Sequence, residues 1–307
     1  MKHTLKITLM LVFFFMIAQL IGLAITNKYI DHKAIEERGR IEFKDLPLSF
    51  ERPQIETESD YRNAMFGIII AVIIGTALLL ALIKFRQFNL WKVWYFLAIA
   101  FALTFAFAAY IQQYIALAIA IALTLAKIFR PNTFLQNITE IFIYGGLAAI
   151  LVPMLNILYV SILLVAISVY DFIAVFKTKH MVTLAKFQTQ SRLFAGLMLP
   201  YKRPEKGTEI RMKPLREGEN TKQENKIAVL GGGDIGFPLI FAGVVMKSLM
   251  LSNTEIMGFL ITLLIPLFAA IALFFLLAKG QKDKFYPAMP LISIGCFIGY
   301  GVILLLF

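Results

Sequence analysis

Cysteine is nearly absent from this chain. The one thiol, Cys296, lies inside an apolar run, so no intrachain disulfide can form and the side chain reads as packing. Histidine is almost as scarce. His3 and His180 flank apolar segments and His32 falls in a polar loop, a scatter that offers no metal cluster. Neither a metal nor an organic cofactor is expected. The two tryptophans, Trp91 and Trp94, both open one apolar run, where interfacial aromatics belong. Charge is thin as well, at 16% of residues, and the acids (19) are fewer than the bases (30). The resulting net charge of +11 could suggest a nucleic-acid partner, but the bases cluster in the segments between apolar runs. In a membrane protein that clustering reports orientation, so no nucleic-acid partner is expected.

Hydrophobic residues are what the chain does contain. They make up 59% of it, and the mean hydropathy is +0.77. Several runs approach the ~20 residues that cross ~30 Å of hydrocarbon. The fold class implied is an all-α polytopic membrane protein with nine transmembrane helices, a multi-pass protein of the cell membrane surrounded by lipid. The spans fall at about 7–26, 64–83, 91–111, 115–129, 135–153, 156–176, 227–250, 256–278 and 287–307. The first follows Lys2 and Lys6 but exceeds the ~7–15 residues of a signal-peptide core, so it reads as a retained span.

Residues 27–63 form a polar, mixed-charge loop, expected to be solvated. Glu140 lies near the start of the fifth span, where an interfacial position explains it. Asn137-Ile138-Thr139 matches the glycosylation pattern, but at a span edge and on the inner side it is discounted. The stretch 181–199 reads as an amphipathic surface helix. Residues 201–225, charged and punctuated by Pro204, Gly207, Pro214 and Gly218, read as a flexible loop. Two units result: residues 1–155, with five spans and the loop 27–63, and residues 156–307, with four spans and the loop 177–226.

With the N-terminus inside, inner segments carry 22 of the Lys and Arg residues and outer segments 8, and nine acids offset the seven bases of the first outer loop. The basic bias therefore predicts a cytoplasmic N-terminus and an extracytoplasmic C-terminus.

Gly231-Gly232-Gly233-Asp234 breaks the rules of a membrane helix. A carboxylate in hydrocarbon costs roughly 2.5–3.5 kcal/mol on insertion scales. Each glycine costs a helix on the order of 1 kcal/mol against alanine. Pro238 removes the helical partner of the carbonyl at Asp234, which suggests a loosened backbone there. Such density of local conflict marks function. The sixth span carries a second carboxylate, Asp171, about six residues before its inner end, while Asp234 lies about seven residues after the start of the seventh. At ~1.5 Å per residue both sit roughly 9–11 Å from the inner boundary, and consecutive helices are usually neighbours. A close carboxylate pair shares one proton. One member can then take a proton from water while the other donates to a carbonyl, which is aspartic proteolysis. Membrane carboxylates also serve as proton or cation sites in carriers. On spacing alone both remain open, although no inverted repeat supports a carrier.

Three motifs carry a family resemblance. Tyr170-Asp171 resembles the YD motif, Gly231-Gly232-Gly233-Asp234 the GxGD motif, and Pro287-Ala288-Met289-Pro290 the PAL motif with Met289 in the leucine position. In this order and on these spans, the chain resembles the presenilin and signal peptide peptidase family of intramembrane aspartyl proteases. Its compact length is similar to that of microbial, archaeal-type members. The resemblance implies that Asp171 and Asp234 are the catalytic dyad. It also implies that Tyr170, Gly231, Gly233, Pro287, Ala288 and Met289 line the site or position substrate. Substituting methionine for leucine preserves volume and apolarity. A prepilin-peptidase-like enzyme shares the GxGD aspartate, but there a basic residue follows closely, whereas Ile235-Gly236-Phe237 follows here. The implied substrates are single-span membrane proteins or signal-peptide remnants. Self-association as a homo-oligomer is left open.

Overall fold

The computed structural model describes residues 5–53, 55–85, 87–177, 193–200, 227–279 and 286–307. Its long helices are α1 (Leu5–Tyr29), α3 (Glu58–Lys84), α4 (Phe88–Ala108), α5 (Gln113–Phe129), α6 (Thr133–Leu151) and α7 (Ile157–Phe176), followed after a strand pair by α8 (Gly232–Leu249). A short α9 (Glu255–Thr262) precedes α10 (Leu264–Lys279), and α11 (Met289–Leu306) ends the bundle. Among the described residues, eight helical stretches are long and apolar enough to cross a membrane, with α9 and α10 counted as one, and α5 is a shorter apolar helix. The chain is thus a multi-pass, all-α membrane protein.

The helix starts follow from side chains that satisfy the unpaired first-turn amides. Thr57 and Asp60 form a reciprocal capping box on α3. Asn132 accepts from the Phe134 amide at α6, and Asn156 from the Tyr159 amide at α7. The break between α9 and α10 falls at Leu263. Pro266 explains it, since a proline denies the carbonyl of Thr262 its helical partner.

The centre of the bundle is α8, which packs against α1, α6, α7, α9, α10 and α11. Apart from Asp234, Lys247 and Ser248 it is apolar on every side, the pattern of a helix enclosed by others. Its one buried cation, Lys247, donates to the carbonyls of Val152 (2.9 Å) and Leu155 (2.6 Å), which ties α8 to the turn between α6 and α7.

Three expectations need correction. The loop after α1 is only partly solvated: α2 (His32–Arg38) is capped by Asp31, Ile30 and Leu46 are buried, and the Arg52 guanidinium lies over the rings of Tyr29 (5.5 Å) and Phe43 (5.2 Å). The end of the expected surface helix is instead strand β1 (Gly196–Pro200), while residues 181–192, like 201–225, lie outside the described residues. The seventh span does not begin at Ile227. Residues Ile227–Gly231 form strand β2, antiparallel to β1 with Met198 opposite Val229 and Gly196 opposite Gly231. A short apolar run reads alike as buried strand or buried helix, so hydropathy alone merged β2 with α8.

Candidate active site

The glycine run sits at the junction of strand and helix. Gly231 ends β2, and Asp234 lies in the first turn of α8 rather than deep within a helix. The glycines therefore do not weaken a helix interior. Pro238 is buried in a helix that continues past it, and the carbonyl it orphans is in the opening turn. Next to that carbonyl, Gln19 Nε2 on α1 donates to Ile235 O at 2.9 Å.

The glycines differ in what surrounds them. A Cβ on Gly231 would lie 3.2 Å from Asp234 Oδ2, so the carboxylate folds back over that residue, and the Gly231 amide bonds it. A Cβ on Gly233 would make ordinary contact with Phe237 at 3.7 Å. Gly232 is the tight position: a Cβ there would lie 2.6 Å from Tyr144 Oη. At Gly196, the partner of Gly231 across the sheet, φ is 149° and a Cβ would lie 2.2 Å from Leu230 O, so only glycine fits.

Asp171 comes from the last part of α7. It is 4% exposed and Asp234 is 9% exposed, and α7 packs against α8 closely enough that the charge of Asp171 acts on Asp234. The third motif reaches the same carboxylate. The Met289 amide donates to Asp171 Oδ2 at 3.1 Å, and the Ala288 amide also bonds Asp171. Neither Pro287 nor Pro290 has an N–H. The two donors of Pro287-Ala288-Met289-Pro290 thus both serve one carboxylate, at the N-terminus of α11, where unpaired amides and the helix dipole favour an anion. Ser168 and Ser293, joined at 2.7 Å, fasten α7 to α11 beside this contact. Tyr170 is directed otherwise: its hydroxyl donates to Thr76 Oγ1 on α3 at 3.0 Å.

The expectation for Glu140 is overturned. Glu140 is 1% exposed and pairs with the equally enclosed Lys127 at 2.6 Å. Its other oxygen accepts from Tyr144 Oη. Gln136 Nε2 donates to Glu140 Oε1 (2.9 Å) and to the carbonyls of Phe194 (2.7 Å) and Gly196 (3.0 Å). Tyr95 Oη donates to Phe194 O at 3.0 Å. The Asn137 amide is likewise buried against Met198 rather than available to a glycan. Among the described residues no group of three or more His, Cys, Asp or Glu side chains comes together to hold a metal. What the arrangement can do chemically is hold two carboxylates in a nearly dry setting, with amide donors on each and a strand beside them.

The family model described as signal-peptide peptidase, presenilin aspartyl protease matches residues 40–307. Two solved structures of a presenilin family intramembrane aspartate protease share the fold. The one in space group C222 aligns with a TM-score of 0.56 and 18% identity, covering 96% of this chain and 99% of that one. The one in space group P2 gives 0.55 and 19%, covering 97% of each chain. Among curated proteins none matches.

Proposed function

We propose how catalysis runs in this chain, which belongs to the signal-peptide peptidase and presenilin family of aspartyl proteases and is therefore an intramembrane peptide hydrolase acting on membrane proteins. Asp171 and Asp234 share one proton and activate a water. The ionised carboxylate removes a proton from the water as it attacks the scissile carbonyl, and the protonated one donates to the carbonyl oxygen. The pair titrates as a unit, so the acid and base roles belong to the dyad. The observation that carries this reading is the Met289 amide on Asp171, a contact between residues 118 positions apart. It joins the motif at the start of α11 to the carboxylate on α7. Burial of both carboxylates and the interaction between their charges support the same reading.

The substrates proposed are single-span membrane proteins or signal-peptide remnants. A transmembrane helix keeps its peptide groups in internal hydrogen bonds, so cleavage requires local unwinding. The unwound segment adds as a strand to β2. The edge of β1 is already taken, because Gln136 and Asn137 bond Phe194 O, Gly196 O and both main-chain groups of Met198. In an antiparallel pair, residues whose polar groups turn outward face each other. Val229, opposite Met198, therefore turns its N–H and C=O to the free side of β2. The substrate arrives laterally past the exposed apolar flank of α7 at Val169, Phe172 and Phe176. The charge bias supports a cytoplasmic N-terminus, with the dyad toward the cytoplasmic side.

The test is reconstitution of the full chain in vesicles with a single-span reporter. Wild type should release fragments cut within the span, and Asp171→Ala and Asp234→Ala should each abolish release. Undiminished release by either variant rejects the dyad. Proton or cation flux without cleavage would favour a carrier instead.

A further inference from the structure

The chemistry above does not use the enclosed cluster on α5 and α6, although that cluster touches both parts of the site. Lys127 and Glu140, each 2% exposed at the side chain, pair at 2.6 Å. One oxygen of Glu140 receives Lys127 and Gln136, and Gln136 continues to the carbonyls of Phe194 and Gly196 at β1. The other oxygen receives Tyr144 Oη. That hydroxyl occupies the space a Cβ on Gly232 would need, at 2.6 Å, two positions before Asp234. Glu140 is therefore a hub with one arm to the strand pair and one to the start of α8. An ion pair this dry adds little stability over well-packed apolar side chains, but it holds its partners in one geometry.

We propose that Lys127, Glu140 and Tyr144 are positioning residues for the reaction: the ion pair fixes the Tyr144 hydroxyl against Gly232, and so fixes Asp234 relative to the strand that receives substrate. The proposal rests on the reading of Asp234 as a dyad member. None of the three touches the reacting atoms. Their effect runs through the backbone of 231–234, where a displacement well under the size of an atom alters the approach of one carboxylate to the other. Small misplacements of reacting groups cost rate rather than binding.

The experiment measures kcat and KM of the full-length chain on the single-span reporter, with the thermal transition of each variant as a check on folding. Tyr144→Phe removes only the hydroxyl. It should lower kcat about ten- to hundredfold with KM changed less than about twofold and the transition lowered by no more than a few degrees. Gly232→Ala intrudes on the same contact from the other side. Because both changes disturb one contact, the double variant should be no slower than Gly232→Ala alone. A kcat for Tyr144→Phe equal to wild type, or losses that multiply in the double variant, overturns the proposal. If Tyr144→Phe does not fold, a pair of double variants decides. Lys127→Met with Glu140→Gln leaves an oxygen to accept from Tyr144 and should be faster than Lys127→Met with Glu140→Leu. Equal rates overturn the proposal. Failure of the dyad itself looks different: Asp234→Ala would then still cleave.

Discussion

Asn137 and Met198 exchange two hydrogen bonds, Nδ2 to the Met198 carbonyl and the Met198 amide to Oδ1, each at 2.8 Å. A side chain on α6 thereby stands in for a neighbouring strand. It closes one edge of the two-stranded sheet and leaves β2 at the other.

Asn137→Leu should expose that arrangement. The substitution leaves the Met198 amide and carbonyl buried without partners, at about 1–3 kcal/mol for each unsatisfied group. The expected outcome is a thermal transition lowered by several degrees and faster protease nicking near β1. Asn137→Asp either buries a charge against the Met198 carbonyl or takes up a proton that restores the donor, so its loss of stability should grow as the pH rises. A Leu variant as stable as wild type would mean the pairing holds nothing in place.

Substrate addition at β2 predicts opposite phenotypes for adjacent prolines. Val229 turns its N–H away from β1, so Val229→Pro removes one bond to substrate and leaves the β1–β2 ladder intact. At about 0.5–1.5 kcal/mol per hydrogen bond, kcat/KM should drop roughly two- to tenfold with the fold preserved. Leu230 pairs toward Leu197, so Leu230→Pro breaks the ladder itself and should destabilise the hairpin. If Val229→Pro cleaves as fast as wild type, the substrate does not pair at this edge.

Particular residues show how far the sequence carried these conclusions. Asp171 and Asp234 were legible because an ionisable side chain in an apolar run has no cheap structural explanation. The shared depth drawn from span order and helix rise counted from a span start at Ile227, whereas the helix begins at Gly232 and Asp234 lies in its first turn. The contact of Met289 with Asp171 was not derivable from spacing, because nothing in sequence links positions 118 apart, and only the family resemblance pointed to it. Strand β2 was hidden because Ile227-Ala228-Val229-Leu230 and the apolar residues after Asp234 merge into one hydropathic run, although Gly231-Gly232-Gly233 marks a break between them. Gly232 was overlooked in favour of its neighbours, since its steric demand comes from Tyr144 on another helix. Glu140 was misjudged because a charge near the end of an apolar run ordinarily reaches the interface. A signal was present nonetheless. Lys127 and Glu140 bracket the turn Arg130-Pro131-Asn132, and a tight turn between two helices brings such opposite charges together.

The pH profile tests the shared proton. At low pH both carboxylates are protonated and no base is available; at high pH both are ionised and no acid is available. The rate should therefore be bell-shaped, and its two limbs describe the pair. Single-turnover rates between about pH 4 and 9 in vesicles, with recovery of activity after return to neutral pH, separate titration from unfolding. A rate that rises continuously into alkaline solution rejects the single-proton dyad.

The sharpest test of the α11 contact uses the backbone. Met289 opens α11, a position where proline is tolerated because its fixed φ suits the first helical turn and the N–H there has no helical partner. Met289→Pro therefore deletes the donor to Asp171 Oδ2, although it also presses on Ala288, whose φ of −86° and ψ of −35° lie in the helical region that a following proline disfavours. A hydrogen bond to a charged group contributes about 1.5–3 kcal/mol, so kcat should fall roughly ten- to hundredfold while the protein keeps its fold. Met289→Leu retains the amide and the side-chain volume, and should stay within about threefold of wild type. The pair separates the two roles the motif could play. If Leu is harmful and Pro is tolerated, position 289 acts through its side chain against substrate. If Pro is harmful and Leu is tolerated, the motif acts by presenting two amides to Asp171, with the flanking prolines present because they compete for nothing.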